Sequence, residues 1–533
     1  MNRQASRFRL AVYVAAIVCT ASAVARAAEH SKLVFPGKDG KLQYAPDEQG
    51  DTIPDFSNCG YMGGGVALPD VPVKVTLKPE KDAKDDTQRI QSAIDEVAKM
   101  PADKSGIRGA VLLTKGTYRI PGQLKITTSG IVLRGEGDGE KGGTTLIAAG
   151  KGKRAVIAVQ GASAARADEK SATKITSDRV PVGARSFDVA DAKNFKVGDA
   201  VIVRRVGNAE WISAIGMDKI QGRPGAESGT KQWGPFDLNF ERIVTGIDGN
   251  KVTVDAPIVC AIEQRWGGGS LMKFSDDGRI EQVGLEHLRA VSEYDPKVTK
   301  KQGNRDYLAD DDHADYLATF NNVKNGWINH CTSVHMFQGL MHLQGGAKWI
   351  TVADCKSLDP VGTITGGTRY PFSYNGQQLL TIRCYSSEAR HAFVLGSRVP
   401  GPNAFVDCVS EKDYGNSEPH HRWSVGGLYD SCKAKIAIQD RQWMGSGHGW
   451  SGANYVAWNC EGTMIAQSPP TADTWVVGFV GEKDKPAFER PDATWDVVGK
   501  HVEPRSLYLK QLEDRLGKQA IANVSAKGGA KGQ

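Results

Sequence analysis

The stretch between residues 370 and 450 concentrates side chains that can move protons and neutralise a carboxylate. Of the eleven histidines in the chain, seven lie between positions 313 and 421, and one more is at 448. Histidine and tyrosine serve as acids and bases, and arginine stabilises negative charge. The candidate catalytic residues are His421, His391, Arg390, Arg422, His448 and Tyr370.

These residue types suit β-elimination from an acidic saccharide. That reaction neutralises a uronate carboxylate, removes the acidified C5 proton and protonates the leaving oxygen. We expect His421 or His391 to act as the base, with Arg390 and Arg422 holding the carboxylate. The sequence alone does not show that these groups converge.

The remaining roles fall to neighbouring side chains. His448 and Tyr370, the latter in the segment GTRYPFSYNG, are the candidate acids. Indole rings offer flat apolar faces on which a sugar ring can lie. The candidate substrate-binding residues are Trp423, Trp443, Trp450, Arg441 and His420. A polysaccharide or oligosaccharide is therefore the expected partner.

Two other functions stay open at this point. Glycoside hydrolysis needs two carboxylates about 5–5.5 Å or about 6.5–9.5 Å apart. Asp359 and Glu388 each lie four residues after a cysteine in consecutive repeats, so one coil spacing could separate them. A charged ladder on an outer face explains that column equally well. The same side chains also suit a non-catalytic solenoid that only binds saccharides.

An acidic segment, YLADDDHADY at residues 307–316, raises the question of a metal. Carboxylate oxygens are the ligands that Ca²⁺ prefers, but consecutive acids lack the alternating spacing of a dedicated calcium loop. A solvated turn is the simpler interpretation, and Ca²⁺ bound together with substrate is the one candidate cofactor. The acids concerned are Asp310, Asp311, Asp312 and Asp315.

The element that must position the cluster is a repeat marked by cysteine. Cysteines at positions 331, 355, 384, 408, 432 and 460 are separated by 24, 29, 24, 24 and 28 residues. In a strand, residues i and i+2 share a face, so a small residue two positions after each cysteine stacks on the same side. The first four such residues are Ser333, Ser357, Ser386 and Ser410. We predict a parallel β-solenoid with inward-facing cysteines, and disulfides between coils as the alternative.

The first half of the chain carries motifs of a known kind. An amphipathic helix is predicted at residues 85–99, where DDTQRIQSAID begins; LTKGTYRI follows at 113–120 and GIVLRGEG at 130–137. This series closely resembles the amino-terminal segment of the pectate-lyase-like superfamily. The resemblance implies a right-handed parallel β-helix whose open end the helix caps. It implies a carbohydrate-active protein but no particular substrate, because the superfamily hosts several activities.

The predicted domain organisation follows from these patterns. The β-helix is expected over residues 85–480, after an extension at 28–84. A small β-rich insertion is expected at about 155–265, with a hairpin at Asp248-Gly249. Residues 481–533 are expected to contain a helix covering the far end, followed by a disordered tail.

The amino terminus predicts export. Three early arginines, a short apolar run and Ala25-Arg26-Ala27 are typical of a signal peptide over residues 1–27. The net charge is +6, and removing that segment leaves +2, which gives no indication of nucleic-acid binding. The apolar run is shorter than a membrane span. We expect a secreted or periplasmic protein without a membrane span.

Overall fold

The computed structural model describes residues 29–525. The predicted signal peptide at residues 1–27 and the end of the predicted tail, residues 526–533, lie outside the described residues. Within the described range the chain forms a right-handed parallel β-helix, as the sequence predicts. Three sheets of parallel strands run along it, and each coil contributes a strand to two or three of them.

The strands of each sheet pair in chain order from coil to coil. The first sheet contains Val73–Leu77, Gly109–Leu113, Ile131–Arg134, Ile280–Glu281, Gly284–Glu286, Val323–Asn329, Lys348–Ala353, Leu380–Ile382, Asn403–Val406, Gly427–Asp430, Tyr455–Trp458, Thr474–Lys483 and Thr494–Val498. The second contains Gly116–Ile120, Thr144–Ala148, Leu288–Ser292, Thr332–Val334, Lys356–Leu358, Tyr385–Ser387, Val409–Glu411, Lys433–Ile438 and Glu461–Ala466. The third contains Leu124–Ile126, Ile157–Gln160, Tyr316–Asn321, Gly339–Leu343, Phe372–Tyr374, Phe393–Leu395 and Glu418–Pro419.

The cysteine repeat forms one wall of the interior. All six repeat cysteines are buried and free, and they share the core with stacked aromatic and aliphatic side chains. The four serines that follow them are buried on the same face, and the Ser333 hydroxyl donates to Ser357 Oγ over 3.1 Å in the next coil. The prediction of inward packing is confirmed. Such columns form because each coil repeats its pleat directly above the previous one.

Two sharp turns flank each short strand of the second sheet. The residue before each cysteine has a positive φ, as at Asp354 (φ 54°) and Asp407 (φ 52°). After the first four of these cysteines, the fourth residue does too, as at Asp359 (φ 48°) and Glu388 (φ 53°). Both positions therefore lie at corners of the coil, where the chain leaves one sheet for the next. Asp359 and Glu388 each lie four residues after a cysteine because both occupy this corner of their coil.

Helix α1, Thr87–Lys99, covers the first coils. Its buried face consists of Ile90, Ala93, Ile94 and Val97, which belong to the same core as the first strands. Asp86 fixes its start by accepting a hydrogen bond from the Arg119 amide over 2.8 Å. The apolar spacing predicted this helix, and burial against the open end of the β-helix stabilises it.

The insertion begins after the strand Ile157–Gln160 and ends before Ile280. Its strands pair antiparallel around a separate apolar core, and they are Arg166–Ala167, Thr173–Lys174, Arg179–Val180, Ser186–Asp188, Ala200–Arg205, Leu238–Asp248, Lys251–Val254, Ile262–Glu263 and Gly269–Ser275. The predicted hairpin is present, with Asp248 opposite Lys251 and Gly249 at φ 57°. Helix α2, Ala209–Ala214, also belongs to this unit.

Smaller elements complete the described chain. The remaining strand pairs are Val34–Pro36 with Leu42–Tyr44, Thr299–Gln302 with Arg305–Leu308, and Ser424–Val425 with Gly452–Ala453. The 3₁₀ turns are Tyr61–Gly63, Glu169–Ser171, Glu227–Gly229 and Gln264–Trp266. Helix α3, Met444–Gly447, is a kinked turn.

Both ends of the described chain pack on the outside of the first sheet. Helices α4, Leu507–Leu516, and α5, Lys518–Ser525, share an apolar cluster with the amino-terminal segment and with outward residues of that sheet such as Leu380. The Tyr508 hydroxyl donates to the Cys59 carbonyl over 2.9 Å. The carboxyl-terminal helix thus lies along a side of the β-helix, whereas the sequence analysis expected it across the far end. No helix among residues 29–525 is long and apolar enough to cross a membrane.

Candidate functional site

A groove of about 810 Å³ runs over the outer face of the third sheet. Its floor is a column of outward side chains that the strand register places opposite one another, namely His342, Ser373 and Val394. The column continues to Glu418, which lies beneath the groove. Successive members are about 4.8 Å apart, the spacing of paired strands. The groove therefore gathers residues that are 21 to 31 positions apart in the sequence.

At the carboxyl-terminal end of this column lies a hydrogen-bonded series of three side chains. Tyr370 Oη is 3.2 Å from His420 Nε2, and His420 Nδ1 is 2.7 Å from Glu418 Oε1. Arg390 Nη1 donates to Tyr370 Oη over 2.7 Å. The series joins a phenol in the groove to a buried carboxylate through one imidazole.

The surrounding donors decide which nitrogen of His420 carries hydrogen. Arg441 Nη1 has two hydrogens, and its two oxygen acceptors are Glu418 Oε1 at 2.6 Å and the His420 carbonyl at 2.7 Å. It has no third hydrogen for His420 Nδ1, although that atom is only 2.9 Å away. We therefore assign the hydrogen to Nδ1, which donates to Glu418. His420 Nε2 is then an acceptor that faces the Tyr370 hydroxyl.

In His391, as in His420, the hydrogen lies on Nδ1, and here a backbone carbonyl decides it. Its Nδ1 lies 2.6 Å from the Asn416 carbonyl oxygen, which can only accept, so Nδ1 carries the hydrogen. Its Nε2 is buried and has no hydrogen-bond partner among the described residues. A glycine at position 415 allows this packing, since a Cβ there would lie 2.6 Å from the Arg390 carbonyl and 3.3 Å from the His391 ring.

Two further imidazoles complete a compact group. The rings of His420, His421 and His448 lie at mutual centroid distances of 4.9 to 5.1 Å. Gly445, at φ 62°, makes room for His448, because a Cβ at that position would lie 2.0 Å from the imidazole. The Nδ1 atoms of His421 and His448 are buried without a hydrogen-bond partner among residues 29–525. Together with His391 Nε2, three buried imidazole nitrogens of the site therefore have no hydrogen-bond partner among the described residues.

Burial keeps these histidines neutral. Desolvation lowers the pKa of His391 to about 3 and that of His421 to about 4. It also lowers the pKa values of His420 and His448 far below the ordinary range, and the nearby Arg441 guanidinium adds to the effect at both. Burial raises the pKa of Tyr370, against the opposing charge of Arg390. At neutral pH the imidazoles are proton acceptors and the phenol is a proton donor.

The insertion builds one wall of the groove. Trp233 Nε1 donates to the Gly447 carbonyl over 3.1 Å, and the exposed Arg223 donates from Nη2 to the Gly445 carbonyl over 3.0 Å. Arg422 Nη2 binds Ser446 Oγ over 2.8 Å in the same loop. The loop that carries His448 is therefore fixed from both sides.

The residues present do not fit a metal ion. His391, Glu418 and His420 bring three donor atoms within 4.8 Å of one another. Arg441 Nη1, however, lies 2.6 and 2.9 Å from two of these atoms. The guanidinium already supplies the positive charge that the carboxylate needs, so the chemistry of this cluster does not call for a metal ion.

The acids of residues 307–316 do not meet at a common point either. Asp310 accepts from the amides of Asp295 and Asp312, Asp311 from that of Thr363, and Asp312 from that of Gly152. Each carboxylate fixes a different loop. This arrangement agrees with the solvated turn and gives no support to the alternative of a calcium ion.

Comparison with known protein families and with curated protein sequences finds no match. Among solved structures, the chain is similar to the tailspike of Acinetobacter baumannii bacteriophage AP22, solved with a capsular saccharide (14% identity, TM-score 0.44, 76% of this chain and 57% of that chain). It is also similar to the tailspike of Pseudomonas phage LKA1 (13%, 0.43, 74% and 57%) and to the polygalacturonase of Erwinia carotovora (10%, 0.33, 82% and 98%). This chain spans little more than half the length of the two tailspikes. At this level of similarity, no substrate or reaction carries over.

Most of the predicted site residues lie in or beside the groove. Tyr370, Arg390, His420, His421, Arg441 and His448 line it. His391 is buried directly behind His420, with ring centroids 4.9 Å apart. Arg422 holds the neighbouring loop through Ser446 and does not line the groove. The structure therefore brings together most of the residues that the sequence singled out, although the hydrogen-bonded series was not foreseen.

The predicted tryptophans are placed differently. Trp423 is 0% exposed and Trp450 is 2% exposed. Both pack into the core of the insertion, where Trp423 meets Trp211 edge-on at 5.0 Å and Trp450 Nε1 donates to the Ile215 carbonyl. Neither can offer a ring face to a sugar, so this expectation is corrected. Trp443 is half-buried against the same core and meets Phe488 edge-on at 5.8 Å.

The carboxylates of the competing hypothesis lie away from the groove. Asp359 Oδ1 accepts from the Ser387 hydroxyl over 2.8 Å, and Glu388 pairs with Arg305 over 2.7 Å. Both are at corners that follow the second sheet. Glu418 is the carboxylate that reaches the site, although no role in elimination was predicted for it from the sequence. Its position two residues before His420 was the available signal, since i and i+2 share a face in a strand.

Proposed function

We propose that the protein binds an acidic polysaccharide in the groove and cleaves it by β-elimination. The observation that carries this proposal is the series Tyr370, His420 and Glu418, with Arg390 on the phenol oxygen. It supplies a neutral base and a protonated acid side by side. It also supplies fixed positive charge for a uronate, as this reaction requires.

In the proposed reaction, His420 Nε2 removes the C5 proton of the uronate. The C5 electron pair forms the C4–C5 double bond and expels the C4 oxygen, which takes the proton of Tyr370. Glu418 stabilises the imidazolium through Nδ1, and Arg390 stabilises the phenolate. The imidazolium then returns its proton to the phenolate across the hydrogen bond between them, so the site is reset.

This assignment changes the base that was predicted from the sequence, and it leaves His448 and Arg422 without a step in the reaction. Tyr370 keeps the role of acid, but the base moves from His421 or His391 to His420. The reason is orientation. Among the described histidines at the groove, only His420 combines a buried carboxylate on Nδ1 with an Nε2 that faces the groove. The Gly366 carbonyl, 3.3 Å from Tyr370 Oη, is a second acceptor for the phenol hydrogen. That acceptor allows His420 Nε2 to be free when substrate arrives.

Charge in the groove supports an acidic ligand. The charged residues that line it are Arg223, Arg390 and Arg441, and no Asp or Glu among the described residues lines it. Glu418 lies beneath, with its Oε1 atom bound by Arg441. A retaining or inverting hydrolase would need a pair of carboxylates flanking the bond. The groove therefore favours elimination over hydrolysis.

The test is to incubate the protein with a panel of uronate-containing polysaccharides and to follow ultraviolet absorbance and reducing ends together. Elimination leaves an absorbing unsaturated uronate, and this signal should be lost in His420→Gln. Reducing ends without absorbance, abolished by Asp359→Asn or Glu388→Gln, would instead assign hydrolysis. Binding without either product would assign a recognition module.

The proposal includes export, as residues 1–27 predict, because such polymers are extracellular. Protease treatment of intact cells and periplasmic extracts, followed by detection of the mature chain, tests its location. Retention of the full-length chain in the cytoplasm would contradict this part of the proposal.

A further inference from the structure

The groove is divided into two halves of different charge. The guanidinium groups belong to the later coils: Arg390 precedes the strand Phe393–Leu395, Arg441 follows the strand Lys433–Ile438, and Arg223 reaches over from the insertion to Gly445. We call the part lined by these residues and His420 the cationic half. The reacting groups of the proposed function lie here.

The other half, formed by earlier coils, is lined by uncharged polar groups. We call it the neutral half, and its residues are Tyr316, Gln338, His342, Ser373 and Asn375. Asn375 Nδ2 donates to His342 Nε2 over 3.0 Å, so this imidazole nitrogen accepts and carries no hydrogen. Burial also lowers the pKa of His342. At neutral pH none of these five side chains supplies a cation that could pair with a carboxylate.

The neutral half is nevertheless built to contact a ligand. Gln338, His342, Ser373 and Asn375 are half-buried, with side chains held in place by neighbouring strands and turns. The column from His342 to the buried Glu418 spans three inter-strand steps, about 14 Å. That length accommodates more than one sugar ring, so a sugar next to the reacting uronate lies over amide, hydroxyl and imidazole groups.

We propose that the substrate is a heteropolysaccharide in which a neutral sugar adjoins the reacting uronate on the side of the neutral half, and that homopolymers of uronate are disfavoured. This inference rests on the proposed function, because it places the reacting uronate in the cationic half. A second carboxylate in the neutral half would lose its hydration without gaining a cation. Specificity then comes from the uncompensated charge of the wrong ligand as much as from contacts with the right one.

The test compares binding of the Tyr370→Phe variant, which does not turn over, by affinity electrophoresis. The gels contain gellan, whose uronates are separated by neutral sugars, or polygalacturonate, or alginate, with neutral dextran as a control. We expect retardation in gellan at least about tenfold stronger than in either homopolymer. Equal or stronger retardation in polygalacturonate or alginate would overturn the inference and leave the proposed function standing.

A charge introduced into the neutral half provides the matched experiment. Ser373→Lys places a cation on the groove floor, and Ser373→Gln is its uncharged control. The lysine variant should bind polygalacturonate about three- to fivefold more tightly than the control, as one partly exposed ion pair allows. No gain would show that this half does not contact the polymer, which contradicts the inference.

The remaining outcomes separate the two proposals. Binding of gellan by Tyr370→Phe, without an absorbing product from the wild-type protein, would overturn elimination and retain the recognition pattern. Absence of binding to every acidic polymer would overturn both.

Discussion

Replacing Tyr370 with phenylalanine removes one oxygen from the centre of the proposed reaction. That oxygen accepts a hydrogen bond from Arg390 Nη1 over 2.7 Å and lies 3.2 Å from His420 Nε2. The phenyl ring keeps its packing against the His391 and His420 rings, at centroid distances of 5.1 and 5.2 Å. The change therefore deletes the acid and leaves the shape of the groove intact.

The expected effect on turnover is large, and that on stability is small. Loss of a positioned acid costs about 10²- to 10⁴-fold, or about 3 to 5 kcal/mol of transition-state stabilisation. The free energy of unfolding should fall by only about 1 kcal/mol, since the lost hydrogen bonds of Tyr370 are partly exposed. KM should change by less than about threefold if the ring still shapes the groove.

The assay is the initial rate of absorbance increase from unsaturated uronate, measured together with thermal unfolding. Tyr385→Phe is the matched control, because its hydroxyl binds Glu411 over 3.0 Å on the second sheet, outside the groove. It should leave kcat unchanged. A Tyr370→Phe variant that is folded and retains kcat within about threefold of wild type would refute the role of the phenol.

Four further predictions follow from the same structure. Glu418→Gln leaves Arg441 without its ion pair, so the free energy of unfolding should fall by about 3 kcal/mol. The kcat should fall at least about tenfold. An unchanged melting temperature and an unchanged rate would contradict the pairing. The pKa of His391 is about 3 in the folded chain against an ordinary 6.5. Between these values the unfolded state binds a proton that the folded state does not, so the free energy of unfolding falls as pH is lowered, by about 1.4 kcal/mol per unit. Urea titrations from pH 7 to 4 should show a shallower pH dependence for His391→Gln. Chelation should leave the elimination rate within about twofold, because Arg441 occupies the cation's place; a rate restored only by added calcium would refute this. Trp423→Ala should destabilise the fold by about 3 to 5 kcal/mol, as burial of the whole ring implies, and half-buried Trp443→Ala by clearly less, which chemical denaturation would measure.

The fold could be predicted because its signals are local and repeated. The recurrence of cysteine with serine two positions later placed both side chains on one face, and repetition alone stacked them. The spacing of Ile90, Ala93, Ile94 and Val97 likewise predicted α1 and its buried face. These local patterns suffice to predict the fold because each coil pairs with a neighbour of nearly identical conformation.

The tryptophans and the carboxyl-terminal helix show where such reasoning stops. The sequence shows Trp423 beside two histidines and an arginine. It does not show that the insertion packs over the indole ring. In the same way the apolar spacing of α4 predicted a helix, while its location on the side of the first sheet depends on contacts with the amino-terminal segment, for example through Phe56. Burial against distant segments leaves no local pattern.

By itself, the sequence determined the β-helix and its capping helix, because side-chain period and turn residues act over a few positions, and it indicated a neighbourhood for a candidate site. Only the tertiary structure decided the chemistry of that neighbourhood. The register of the third sheet brings Tyr370 and Arg390 to His420 and Glu418 from three different coils. Enclosure by the insertion and the loop at Gly445 then removes water and keeps the imidazoles neutral. Register and desolvation are properties of packed coils, so no single segment encodes them.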